Sequence, residues 1–126
     1  MNAIQIRHHR GKTAFHAGVA AENRIAQDYE RRGFAIARRR WRGKCGEIDL
    51  IVRDGNALIF VEVKQSRNLA RAAESLSARQ MARIYASAEE FLGTEPDGAL
   101  TDVRFDVALL DGQGDMQIIE NAFGHG

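Results

Sequence analysis

The sequence predicts an α/β protein, a β-sheet with helices on its faces, and three observations support that expectation. Between Ala14 and Arg32, apolar side chains recur at three- and four-residue steps, the period of an amphipathic helix. From Gly46 to Lys64, two runs rich in Ile, Val, Leu and Phe flank Asp54-Gly55-Asn56. Strand-like runs around turn residues of this kind mark a β-hairpin. A second helical stripe and two more strand-like runs follow, so the elements come in the order α-β-β-β-α-β-β.

Length and composition set the bounds. The chain of 126 residues suits one domain with one ordinary core. We expect a flexible arm over residues 1–12, the domain over 13–123 and a tail at 124–126. No run nears the ~20 apolar residues that span a bilayer, and MNAIQIRHHRGK lacks the apolar centre of a signal peptide. The single cysteine, Cys45, permits no internal disulfide and fits a reducing compartment. The expectation is a cytoplasmic protein with no membrane partner. The net charge of +1 hides an asymmetry: residues 1–45 carry eleven Lys/Arg against three Asp/Glu, residues 46–126 seven against fourteen. A basic first part of about +8 can mark the footprint of a polyanion, or it can neutralise the acidic remainder on folding.

The first helix carries Phe15, Gly18, Val19, Ile25, Ala26 and Tyr29 on one face, with Glu22 in the middle of that stripe. A carboxylate so placed is rarely buried without a partner. It is either an acid of a metal site or the partner of an arginine where helix meets sheet. Gly33 is the C-cap. Phe34 to Arg42 reads as a strand that turns strongly basic, and from Arg31 to Lys44 there are seven positive charges and no acid. Trp41 either stacks on a base or sits in the core; the basic run either contacts phosphates or guards an edge strand. Gly43 and Gly46 turn the chain into the hairpin. The four histidines, His8, His9, His16 and His125, have no ligand-like spacing.

Alternation along the hairpin puts Glu47, Asp49 and Ile51 on one side of its first strand, and Leu58, Phe60, Glu62 and Lys64 on one side of its second. Either two-residue loop, Asp54-Gly55 or Gly55-Asn56, makes these the same face. With Gly55-Asn56, Asp49 stands opposite Glu62; a three-residue loop without a bulge would break the parity. Facing carboxylates destabilise a ladder unless a shared proton, a cation or a metal offsets them. Lys64 is one such cation. A divalent ion on Asp49 and Glu62 would be another, and oxygen ligation suits Mg²⁺ or Mn²⁺. Two acids and a lysine around such an ion make a workable site for phosphodiester hydrolysis. The structural alternative is a set of exposed ion pairs worth ~0–1 kcal/mol.

Beyond Lys64, Gln65–Glu74 is a loop or a short helix. Ser77 and Gln80 form a capping-box pattern, and the helix runs to Leu92 with Met81, Ile84, Tyr85, Ala88 and Leu92 as its apolar face. Arg79 and Arg83 lie on a more polar side, from which either could reach a phosphate. Val103–Leu110 alternates, with Val103, Phe105, Val107 and Leu109 inward and Arg104 and Asp106 facing the other way as a charge pair. Met116–Glu120 supplies the last strand.

GEIDLI, FVEVK, RFDVAL and NAF, in this order, resemble the YraN-like family of small bacterial proteins. That family is similar to the PD-(D/E)xK nuclease superfamily and to archaeal Holliday-junction resolvases. The resemblance covers roughly Gly18 to Phe123. It implies a restriction-endonuclease-like sandwich, a central mixed β-sheet flanked by helices, and a Mg²⁺- or Mn²⁺-dependent endonuclease acting on branched or structured DNA. Residue by residue, Asp49 matches the motif aspartate, Glu62 and Lys64 the ExK pair, and Glu22 the glutamate of the first helix. Asp49, Glu62 and Glu22 are thus the implied metal ligands. Arg38, Arg39, Arg40, Arg42, Lys44, Arg67 and Arg79 are the candidate DNA contacts. The chain departs from the family pattern at Ala21 for Gly, Ser66 for Arg and Arg79 for Lys. A resolvase-like enzyme would act as a symmetric homodimer. The alternative function is a non-catalytic nucleic-acid-binding or adaptor protein on the same scaffold; a structural partner in a protein complex would show no salt-dependent DNA binding.

Overall fold

The computed structural model describes residues 18–122. The expected arm at 1–12, the first turn of the first helix, the four histidines and the tail at 124–126 lie outside the described residues. Helix α1 covers 18–31 of these and ends at Gly33, whose φ of 96° is the left-handed conformation a C-cap glycine supplies. The remaining elements are β1 (Ala35–Arg42), β2 (Glu47–Asp54), β3 (Ala57–Gln65), α2 (Leu69–Glu74), α3 (Ala78–Leu92), a 3₁₀ turn (Gly98–Leu100), β4 (Val103–Leu110) and β5 (Met116–Ile119). The polar stretch after Lys64 is therefore a loop leading into a short helix. Asn68 caps α2 by accepting the Arg71 N–H. Ser77 and Gln80 cap α3 reciprocally, as the capping box requires.

The five strands lie in the order β1-β2-β3-β4-β5. β1, β2 and β3 are antiparallel neighbours, β3 and β4 are parallel, and β5 returns antiparallel. The sheet is mixed because the parallel step needs a crossover, which α2 and α3 provide. Helix α1 covers one face: Ala21, Ile25, Ala26 and Tyr29 pack on Leu50, Val52, Ile59, Val61, Ala108 and Leu110. On the other face Ile84, Ala88 and Phe91 of α3 pack on Ile48, Ile51, Leu58, Phe60 and Phe105. Ala72 of α2 meets Val107 and Leu109 beside them. Trp41 belongs to this second layer, half-buried with its ring edge-on to Phe91 at 5.3 Å. It is a core residue.

β4 corrects two sequence expectations. Val103 is 39% exposed rather than inward: it is the first residue of the strand and lines an open cleft beside Tyr85, Ala88 and Leu92 of α3. Asp106 is on the face opposite Phe105 as expected, yet it is fully buried. That face packs under α1, where Tyr29 Oη donates to Asp106 Oδ2 at 2.7 Å. Arg104 Nε and Nη2 donate to the same carboxylate at 2.9 and 3.0 Å, and the Asn121 N–H at 2.9 Å. The expected Arg104–Asp106 pair is thus one part of a closed network tying α1, β4 and the chain after β5 together.

Candidate active site

The hairpin has Gly55-Asn56 as its two-residue loop, since Asp54 pairs with Ala57 and the register runs on to Leu50 with Val61. One step further Asp49 comes opposite Glu62. There the Asp49 carboxylate accepts the Val63 N–H at 2.8 Å. It also lies beside the Glu62 carboxyl group, and the two acids interact strongly. Lys64, two residues on, places Nζ 3.7 Å from Glu62 Oε1, and both side chains are mostly buried.

Two acids so close favour a proton held between them. Burial first, then the Asp49 charge, pushes Glu62 up to about 8, against the pull of Lys64. Burial also raises Asp49, although the Val63 N–H and Lys64 favour its charged form. This donor set fits a hard divalent cation. Two adjacent carboxyl groups would exchange their proton for the ion, and Mg²⁺ characteristically takes one or two carboxylates with waters and phosphate oxygens filling the rest.

A distortion in β1 shapes the site. Arg40 has φ 48°, a left-handed conformation costly for a bulky residue. Its neighbours Arg39 and Trp41 pair with Leu50 and Ile48, so Arg40 stands across from Asp49. Leu50 packs under α1 while Ile48, two residues earlier, packs under α3. Residues two apart on a regular strand share a face; here the ladder turns over, and Asp49 sits at the crossing between the two layers.

Glu22 is on α1, nearly buried, and receives a hydrogen bond from Arg40 Nε at 2.6 Å. Burial raises its pKa and the arginine opposes that, with Asp49 near enough to add repulsion. Of the two expectations for Glu22, the structure displays the arginine pair. It does not bring Glu22 into a hydrogen bond with Asp49 or Glu62. Among the described residues, no three His, Cys, Asp or Glu side chains gather into a metal cage.

The candidate DNA contacts scatter. Arg39 bonds Asn23 and reaches Glu30 at 4.0 Å, and Arg42 pairs with Glu47 at 3.3 Å. The Arg38 side chain donates to the Ala37 carbonyl. Lys44, Arg67 and Arg79 are exposed. The Lys44 backbone N–H is held by the Glu90 carboxylate at 2.8 and 2.9 Å, which anchors the Gly43–Gly46 turn to α3. Glu62 opens on a cleft of ≈ 170 Å³ lined also by Glu47, Gln80, Arg83 and Ile84. Glu47 and Gln80 were missed as site residues. Glu47 was legible from its place two before Asp49, whereas nothing local distinguishes Gln80 beyond its capping role.

The model of the uncharacterised protein family UPF0102 matches residues 21–110. A UPF0102 protein of Ruegeria pomeroyi is 66% identical over 117 residues, covering 93% of this chain and 95% of its own. One from Roseobacter denitrificans is 49% identical over 126 residues, covering all of this chain and 98% of its own. A third, from Cereibacter sphaeroides, is 57% identical over 113 residues, 90% and 97% of the two chains.

Proposed function

The chain belongs to the uncharacterised protein family UPF0102, and from that premise and the geometry of its hairpin we propose that it is a metal-dependent DNA endonuclease. One observation carries the reading: a mostly buried carboxyl pair, Asp49 and Glu62, with Lys64 beside Glu62, and Glu62 itself lining a cleft. Unpaired acids are costly inside a fold, and a hairpin loses stability by facing them. A site that keeps both has a use for them.

In this reading Asp49 and Glu62 hold Mg²⁺ or Mn²⁺. When bound, the ion supplies a Lewis acid for the phosphate and lowers the pKa of its water. The Val63 N–H fixes one Asp49 oxygen and leaves the other for the ion. Lys64 keeps Glu62 charged once the proton is gone and presents an ammonium to the attacking water or the phosphate. Glu22 joins only by leaving Arg40. DNA as the polymer, branched or structured DNA as the preferred form, and a symmetric homodimer are the parts of this proposal that rest on the resemblance to resolvases. No helix among the described residues is long and apolar enough to cross a membrane.

The Glu22–Arg40 pair favours a second reading, a nucleic-acid-binding module that uses the scaffold without turnover, since it keeps a third acid away from the pair. Cleavage of labelled single-stranded, duplex, flapped and four-way-junction DNA in Mg²⁺, Mn²⁺ or EDTA separates the two. The nuclease reading expects metal-dependent cutting that Asp49→Ala and Lys64→Ala, each checked for folding, both abolish. Salt-sensitive binding without cutting in all three proteins would select the binding module.

A further inference from the structure

We infer that Arg83 is the phosphate clamp of the cleft, the side chain that holds a backbone phosphate of the nucleic acid over Glu62 and Lys64. This rests on the nuclease reading above and adds to it a residue and a direction of approach. The cleft is a poor place for an anion as it stands. Glu47 and Glu62 line it, and a phosphate entering between two carboxylates meets repulsion that a single metal ion at Asp49 and Glu62 only partly offsets. A fixed cation in the cleft wall, acting with Lys64, would offset that repulsion, and the structure restricts the choice.

Arg40, Arg42 and Arg39 are engaged by Glu22, Glu47 and Asn23. Lys64 is held by Glu62. Arg83 lines the cleft itself, and among the described residues no ion pair engages it. Its arm is also placed in advance. Gly46, at φ 150°, enters β2 with no side chain, and a Cβ there would lie 3.0 Å from Arg83 Cδ and 3.2 Å from Cγ. The arginine stem therefore lies flat on the glycine that leads into the Glu47–Asp49 segment. The stem packs beside Gly46, and Arg83, an exposed residue, lines the cleft. A planar guanidinium with two parallel N–H donors matches a phosphate's oxygens in a way that an ammonium does not.

The test is equilibrium binding of fluorescently labelled duplex and four-way-junction DNA to the full chain in EDTA, across a salt series, with no turnover. Wild type, Arg83→Gln, Arg83→Lys and Arg24→Gln are compared; Arg24 is an exposed α1 arginine outside the cleft. Removal of one phosphate contact should make the slope of log K against log salt shallower by about 0.9. Affinity at low salt should fall roughly tenfold. Arg83→Lys should keep the slope at intermediate affinity, and Arg24→Gln should move neither quantity comparably. A slope and affinity for Arg83→Gln equal to wild type would overturn the inference, as would an equal loss in Arg24→Gln. Cutting by wild type in Mn²⁺ with Arg83→Gln unchanged sinks the clamp and leaves the nuclease standing. Binding that depends on Arg83 without any cutting sinks the nuclease and keeps the clamp. Wild type that neither binds nor cuts overturns both.

Discussion

Replacing Glu62 by Gln removes a titrating proton from the hairpin while keeping the shape of the side chain and a donor for Asp49. Glu62 rises from an ordinary 4.5 to about 8 in the folded protein, through burial first and the Asp49 charge second. Between those two values the folded state holds a proton that the unfolded state has released. Stability conferred by that proton is complete below about 4.5 and falls as pH rises through about 8. At ~1.4 kcal/mol per pH unit the ceiling is about 5 kcal/mol, and an effect on the order of a few kcal/mol is expected. Burial raises Asp49 and Glu22 as well, so they act in the same direction. Glu95, lowered by Arg53, acts on the acid side of this window. The assay is urea unfolding in EDTA at several pH values from 5 to 9, for wild type and Glu62→Gln. At the acid end the two should be nearly equal. Toward the alkaline end wild type should lose stability and the variant should overtake it. Added Mg²⁺ should then restore wild type and leave Glu62→Gln little changed, since the cation takes the proton's place. Parallel pH profiles for the two proteins would refute the shared proton and with it the argument that the site is poised for a metal.

Three further expectations concern the frame around the site. Asp106→Ala leaves Arg104 and Tyr29 Oη without their buried acceptor and should cost ~3–5 kcal/mol by chemical denaturation; a loss under 1 kcal/mol would show that the network is incidental. Gly43→Ala would put a Cβ 2.6 Å from Trp41 and in outright collision with the Glu90 carboxylate. It should free the Lys44 N–H and destabilise the fold by ~1–3 kcal/mol, seen also as faster hydrogen exchange at Lys44. Ser77→Ala removes the cap of α3 and should cost ~0.5–2 kcal/mol, with no change in the pH profile of the Asp49–Glu62 pair.

How far the sequence could be read depended on whether a feature is decided by neighbours in the chain or by neighbours in space. The hairpin, the Gly33 stop and the Ser77 cap are local, and each follows from turn and cap chemistry within a few residues. Asp49 opposite Glu62 needed only the choice of Gly55-Asn56 as the loop. Asp106 shows where period-two reasoning runs out. Alternation correctly sets it opposite Phe105, but alternation cannot say whether that face meets water or a second layer, and β4 is an inner strand covered on both sides. Glu22 shows the same limit from the helix side. Its place in an apolar stripe demanded a partner, and the partner came from a strand residue eighteen positions on. Nothing in the run of arginines marks Arg40 for a left-handed backbone, because an arginine has no intrinsic preference for it. The conformation is imposed where β1 and β2 turn over together. That turnover is also what carries Asp49 from the regular ladder to the junction of the layers, within electrostatic reach of Glu22, Glu47, Glu62 and Lys64. The part of the site that local rules could not reveal is therefore the part that brings its charges together.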